Sequence, residues 1–117
     1  IGGTCLVDVI TMSVDIDHSY LGDVEGTLTA PDGTVVTIFD GRGYGADRLV
    51  GTFASDSSGY AEYNYTGSSY TYEYAQPDMS SLLGVSAEGS WTLSIEDTYT
   101  GDTGTLNSWG LTFSCSL

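Results

Sequence analysis

Six carboxylates of this chain, Asp17, Asp23, Asp40, Asp47, Asp97 and Asp102, bracket three short polar stretches. These are H-S-Y-L-G, G-R-G-Y-G-A and T-Y-T-G. Carboxylates and glycine carbonyls on flexible loops are the oxygen donors that calcium takes, about six to eight at a time, so a calcium site is the first chemistry these residues could perform. The same Asp-rich turns also form when side chains hydrogen-bond their own backbone and hold no ion. Arg42 and Arg48, the only arginines in a chain without lysine, lie in or beside the second stretch and can neutralise its acids. No EF-hand spacing is present.

Other chemistries find fewer residues. A hydrolytic triad needs a nucleophile, a histidine base and a carboxylate, and His18 is the only histidine. Its neighbours Asp17 and Ser19 would point to the opposite face of a strand, so the triplet is not a triad. One histidine and two cysteines leave too few ligands for zinc. Gly41, Gly43 and Ala46 fit a G-x-G-x-x-A fingerprint, but no helix follows and the charge is wrong for pyrophosphate. Nucleic acid is excluded as a partner, because 16 acidic against 2 basic residues give a formal net charge of −14, which repels phosphates. Asn64-Tyr65-Thr66 is a glycosylation sequon, relevant to a eukaryotic protein. Tyr70, Tyr72 and Tyr74 alternate with Thr71 and Glu73. Exposed together, the rings would form a face for a protein or polysaccharide substrate; turned inward, they would pack the core with their hydroxyls at the rim.

The elements that must position these groups are strands. Ile10, Met12, Val14 and Ile16 alternate with Thr11, Ser13, Asp15 and Asp17, which gives a strand with one apolar face. After the turn 18–23, a strand over 24–30 returns the chain, Pro31-Asp32-Gly33-Thr34 forms a tight turn, and 35–39 is a third strand. A Gly-rich loop covers 40–48, a strand 49–53, and one or two further strands fall within 60–74. Segment 76–88 has no strict alternation and is expected to be a loop with a single helical turn. Trp91, Leu93 and Ile95, then Trp109, Leu111 and Phe113, alternate with polar residues on either side of the 97–104 turn, and are expected to be core. The whole is expected to be one domain over 1–117. Its class is all-β, a jelly-roll-like antiparallel β-sandwich of about eight strands.

Cys5 and Cys115 stand at the two ends, each near an alternating apolar segment. A disulfide between them would close a loop of about 100 residues and contribute on the order of 4 to 5 kcal/mol; two free buried thiols are the alternative. The bonded pair points to an oxidising compartment and a secreted protein. If the pair is bonded, strand parity carries the loops 18–23, 40–48 and 97–104 to the opposite pole, where the six carboxylates converge. No apolar run approaches the roughly 18 residues of a membrane span. Nothing before Cys5 resembles a leader, as expected of a mature or excised piece.

Taken together, H-S-Y-L-G-D-V-E-G-T-L-T-A-P-D-G-T (18–34), I-F-D (38–40), G-S-W-T-L-S-I-E-D (89–97) and G-D-T-G-T-L-N-S-W-G-L-T-F (101–113) form a specific pattern. It resembles the P domain, or Homo B domain, found after the catalytic domain in kexin- and furin-like proprotein convertases and in secreted bacterial proteases. The resemblance implies a β-jelly roll that packs on a subtilisin-like serine protease domain. It further implies support of that partner's folding, modulation of its stability and of its calcium or pH dependence, and no catalysis by the domain itself. It places His18 at a strand end as a structural residue. Animal convertases often carry Arg-Gly-Asp where this chain has Leu21-Gly22-Asp23, so integrin-type binding is not implied. The terminal cysteine pair looks like a bacterial secreted version. The alternative function is a free-standing substrate- or carbohydrate-binding module of the same fold.

Overall fold

Ile10, Met12, Val14 and Ile16 are all buried while Ser13 between them and Asp17 just after them are exposed, so the clearest alternation of the sequence becomes the inner face of one long strand. The computed structural model describes residues 5–18, 20–40, 46–56, 58–64, 70–97 and 104–116. Eight strands are present among them: β1 (Leu6–His18), β2 (Val24–Thr29), β3 (Val35–Asp40), β4 (Arg48–Ala54), β5 (Ala61–Asn64), β6 (Thr71–Tyr74), β7 (Thr92–Asp97) and β8 (Gly104–Ser116). They form two antiparallel sheets, one in the order β6-β5-β4-β1-β8 and one in the order β3-β2-β7. The expected jelly-roll-like sandwich is therefore present, its strands divided five and three. No helix among the described residues is long and apolar enough to cross a membrane.

Register follows from the apolar faces, because a slip of one residue would turn every core side chain outward. Met12 lies opposite Phe53 on β4 and Leu111 on β8, and Ile16 opposite Leu49 and Leu106. In the smaller sheet Leu28 lies opposite Val36 and Leu93. A bulge in β3 sends both Ile38 and Phe39 inward. It requires Gly26 opposite, since a Cβ there would overlap the Phe39 ring. Phe39, Phe53 and Tyr74 then form a buried aromatic row, with ring centroids 6.3 and 5.8 Å apart.

Segment 76–88 carries a 3-10 turn at Ser80–Leu82. It buries Met79 and Leu82 and hydrogen-bonds the start of β1, where Val7 N–H donates to the Val85 carbonyl and Gly84 N–H to the Val7 carbonyl, both at 2.8 Å.

The β7 and β8 faces differ from expectation. Trp91, Leu93, Ile95, Leu111 and Phe113 are only half-buried, and Trp109 and Leu106 are 37% and 39% exposed. The physical reason is position: β7 and β8 are both edge strands, joined across the interior by Trp91 against Phe113 at 5.1 Å, with no further strand beyond them among the described residues.

Cys5 and Cys115 are bonded, 110 residues apart in sequence with Cα atoms 5.0 Å apart. Loop closure on this scale stabilises chiefly by restricting the unfolded chain. Replacing both cysteines by serine (Cys5→Ser with Cys115→Ser) is expected to lower the unfolding free energy by about 4 kcal/mol, measured by urea denaturation. A loss below about 1 kcal/mol would show that the β1–β8 ladder fixes the chain ends without it.

Candidate functional site

The C-terminal ends of β1, β3 and β7 lie at one end of the sandwich. His18 N–H donates to the Asp47 carbonyl at 2.8 Å, Leu21 N–H to the Ala46 carbonyl at 2.9 Å, and Asp47 N–H to the Asn64 carbonyl at 2.9 Å. Pairing sets His18 opposite Gly104, Val24 opposite Asp97 and Glu25 opposite Asp40. Asp17, Asp23, Asp40, Asp47 and Asp97 are thereby brought to one pole, while Asp102 and Arg42 lie outside the described residues.

Two of their side chains have partners distant in sequence. Asp17 accepts from the Asn107 amide at 2.8 Å, and Asp97 Oδ2 lies 3.0 Å from His18 Nε2. Asp23 is buried in the 3-10 turn Leu21–Asp23. Arg48 pairs with Asp15 at 3.0 Å, a residue outside the expected six. The carboxylate chemistry suits a hard cation, but among the described residues no three of His, Cys, Asp and Glu gather as a metal ion would need.

His18 is a latch. Its Nδ1 accepts the Tyr20 N–H at 3.0 Å, which places the ring proton on Nε2, facing Asp97. The ring lies against Gly104, where a Cβ would collide with it and sit 2.6 Å from the Asp17 carbonyl. β1, β7 and β8 are thus tied at one point. Sequence reasoning missed Asp97 as the partner of His18, for the two are 79 residues apart; the register of β1 with Gly104 is the signal that could have found it.

Both flanks between the sheets are open. On the β7–β8 side a cavity of about 420 Å³ is lined by Ile16, Val24, Ile95 and Leu106, with His18 and Asp97 at its polar end. On the β3 side a groove of about 450 Å³ runs between β3 and residues 74–78.

The tyrosine face divides. Tyr70 is 72% exposed and Tyr72 46%, but Tyr74 is 3% exposed and makes edge contacts with Phe53 and Tyr63. Tyr74 is therefore core and leaves the expected face. Alternation sets all three on one side of the strand, but the smaller sheet covers only the Tyr74 end. Tyr72 stacks on Tyr63 at 5.5 Å.

A family model described as the proprotein convertase P-domain matches residues 7–113. The chain belongs to this family. Similar proteins include leupeptin-inactivating enzyme 1 of Streptomyces exfoliatus, 32% identical over 102 residues that cover 87% of this chain and 18% of that protein. The transglutaminase-activating metalloprotease of Streptomyces mobaraensis is 35% identical over 104 residues, 89% of this chain and 10% of its own. A calcium-dependent protease of Trichormus variabilis is 29% identical over 111 residues, 92% of this chain and 14% of its own. The P domain thus spans less than a fifth of each of these relatives. No solved structure matches the chain significantly. In this P domain Leu21 and Asp23 of the Leu21-Gly22-Asp23 tripeptide are 1% and 8% exposed, which leaves little for a receptor to grip.

Electrostatics of the P domain set its response to pH. The Arg48 guanidinium, then the Asn107 amide, hold Asp15 below the usual carboxylate range. Thr34, Ser58 and Ser80 donors do the same for Asp32, Asp56 and Asp78. Carboxylates with depressed folded-state values stabilise above the unfolded value, about 3.9 for Asp, and lose that contribution as pH falls through the folded value. Opposing this is self-repulsion at a formal charge of −14, including Glu62 directly opposite Glu73. The melting temperature at low salt is expected to rise from pH 7 to about 5 and fall below about pH 4, followed by circular dichroism. A monotonic fall from pH 7 would show that self-repulsion does not limit stability.

Proposed function

We propose that residues 1–117 are one non-catalytic accessory domain of a secreted endopeptidase, which packs on the catalytic domain and supports its folding and stability. The observation that carries this is the pattern of coverage: two relatives named as proteases share nearly all of this chain, yet the shared part is a small fraction of each. A subtilisin-like serine protease domain is the partner that the resemblance implies. One relative is named a metalloprotease, so the accessory role as proposed does not depend on the catalytic chemistry. The half-covered flank of Trp91, Ile95, Leu106 and Trp109 supports the same reading, since an apolar cleft left open in a solitary domain suits a permanent neighbour. The disulfide supports an extracytoplasmic, oxidising location. The exposed Tyr70 and Tyr72 favour a second reading, a substrate- or carbohydrate-binding module, tested by retention on polysaccharide or fibrous protein.

Trp109→Glu in the precursor that carries this domain is expected to leave the sandwich folded and to lower the melting temperature of the catalytic domain by about 5 °C or more, with deletion of residues 1–117 doing the same or worse. A catalytic domain that folds and melts normally after the deletion would defeat the accessory role.

Calcium is proposed as a stabiliser on the donor chemistry of the acidic pole and on the relative named a calcium-dependent protease. Millimolar calcium is then expected to raise the melting temperature of the isolated chain, and EDTA to reverse it. An unchanged value removes calcium and leaves the accessory role in place.

A further inference from the structure

β3 is the outer strand of the three-stranded sheet, so one row of its backbone N–H and C=O groups has no strand beside it among the described residues. Its sequence V-V-T-I-F-D carries neither the lysine nor the proline that usually blunts such an edge. Val35 at its start is 57% exposed. The segment facing this edge is tied to the other sheet instead. The Gln76 side chain accepts the Ala54 N–H at 2.9 Å and donates to the Thr52 carbonyl at 3.0 Å, both on β4. Between them runs the groove of about 450 Å³, with Val36, Ile38, Tyr74 and Pro77 among its lining residues. The Tyr74 hydroxyl closes one end by accepting the Asp40 N–H at 3.1 Å.

The charged residues of this groove are anionic. Asp40 and Asp78 line it, and Asp78 is held below the usual carboxylate range by Ser80. A second copy of this chain is an unsuitable occupant, because two surfaces of formal charge −14 repel each other. Nor can this chain readily supply a basic segment of its own, having two arginines and no lysine.

We propose that the β3 edge captures an extended, lysine- or arginine-bearing segment of another polypeptide, which adds to the smaller sheet as an outer strand about 4.8 Å from β3. Main-chain hydrogen bonds along β3 supply the affinity, and Asp40 and Asp78 select basic side chains. This goes beyond the accessory role and does not rest on it.

The test uses the whole chain and a labelled peptide the length of β3, alternating valine and threonine with a lysine at each end. Two control peptides carry glutamate at the ends, or N-methylated alternate amides. Fluorescence anisotropy at low salt is expected to show binding of the lysine peptide, weaker by about tenfold or more for each control and for the Asp40→Asn, Asp78→Asn double variant. Amide exchange is expected to slow along β3. No binding of the lysine peptide, equal binding of the N-methylated one, or protection confined to the β5–β6 surface around Glu62 and Glu73 would each overturn the proposal.

Discussion

β1 is paired along both edges, to β4 on one and to β8 on the other, and its inner stripe of Ile10, Met12, Val14 and Ile16 is the floor on which the smaller sheet rests. Full burial of each such side chain stabilises by about 1.5 to 3 kcal/mol, but only in one register. The β1–β8 ladder is pinned at both extremities, by the Cys5–Cys115 bond at one and by the seating of His18 against Gly104 at the other. Between these pins the ladder absorbs two irregularities, between Val7 and Val9 and between Asp15 and Ile16, without turning its apolar face outward. The same latch joins the sheets, because His18 belongs to the larger and Asp97 to the smaller.

Five strands facing three leave both flanks partly uncovered, and the two flanks differ in chemistry. The β7–β8 side presents aromatic and aliphatic groups, and the β3 side an unpaired strand edge beside carboxylates. The open flanks are consequences of one division of strands.

Period-two alternation made β1 legible in the sequence, the turns at 18–23 and 31–34 marked off β2 and β3, and strand parity was enough to gather Asp17, Asp23, Asp40, Asp47 and Asp97 at one pole. What alternation cannot supply is coverage. It states which face a residue shares, not whether another layer lies over it, so Trp109 and Tyr70 look the same as Val14 and Tyr74 until the strand order is known. Long-range side-chain pairs were hidden for a similar reason. Arg48 reaches Asp15 across the β1–β4 ladder, although Asp47 is its neighbour in sequence. Asp17 accepts from Asn107 and Asp97 faces His18, pairs that are 90 and 79 residues apart in sequence.

The bond between Cys5 and Cys115 makes the polypeptide from one to the other a covalent ring. A single backbone cut anywhere within that ring yields two fragments that are still joined, and the long β1–β8 ladder keeps their edges in register. Release of a piece takes two cuts, or one cut and a reductant. In a family whose relatives include proteases, a module closed in this way can survive a nick in a loop.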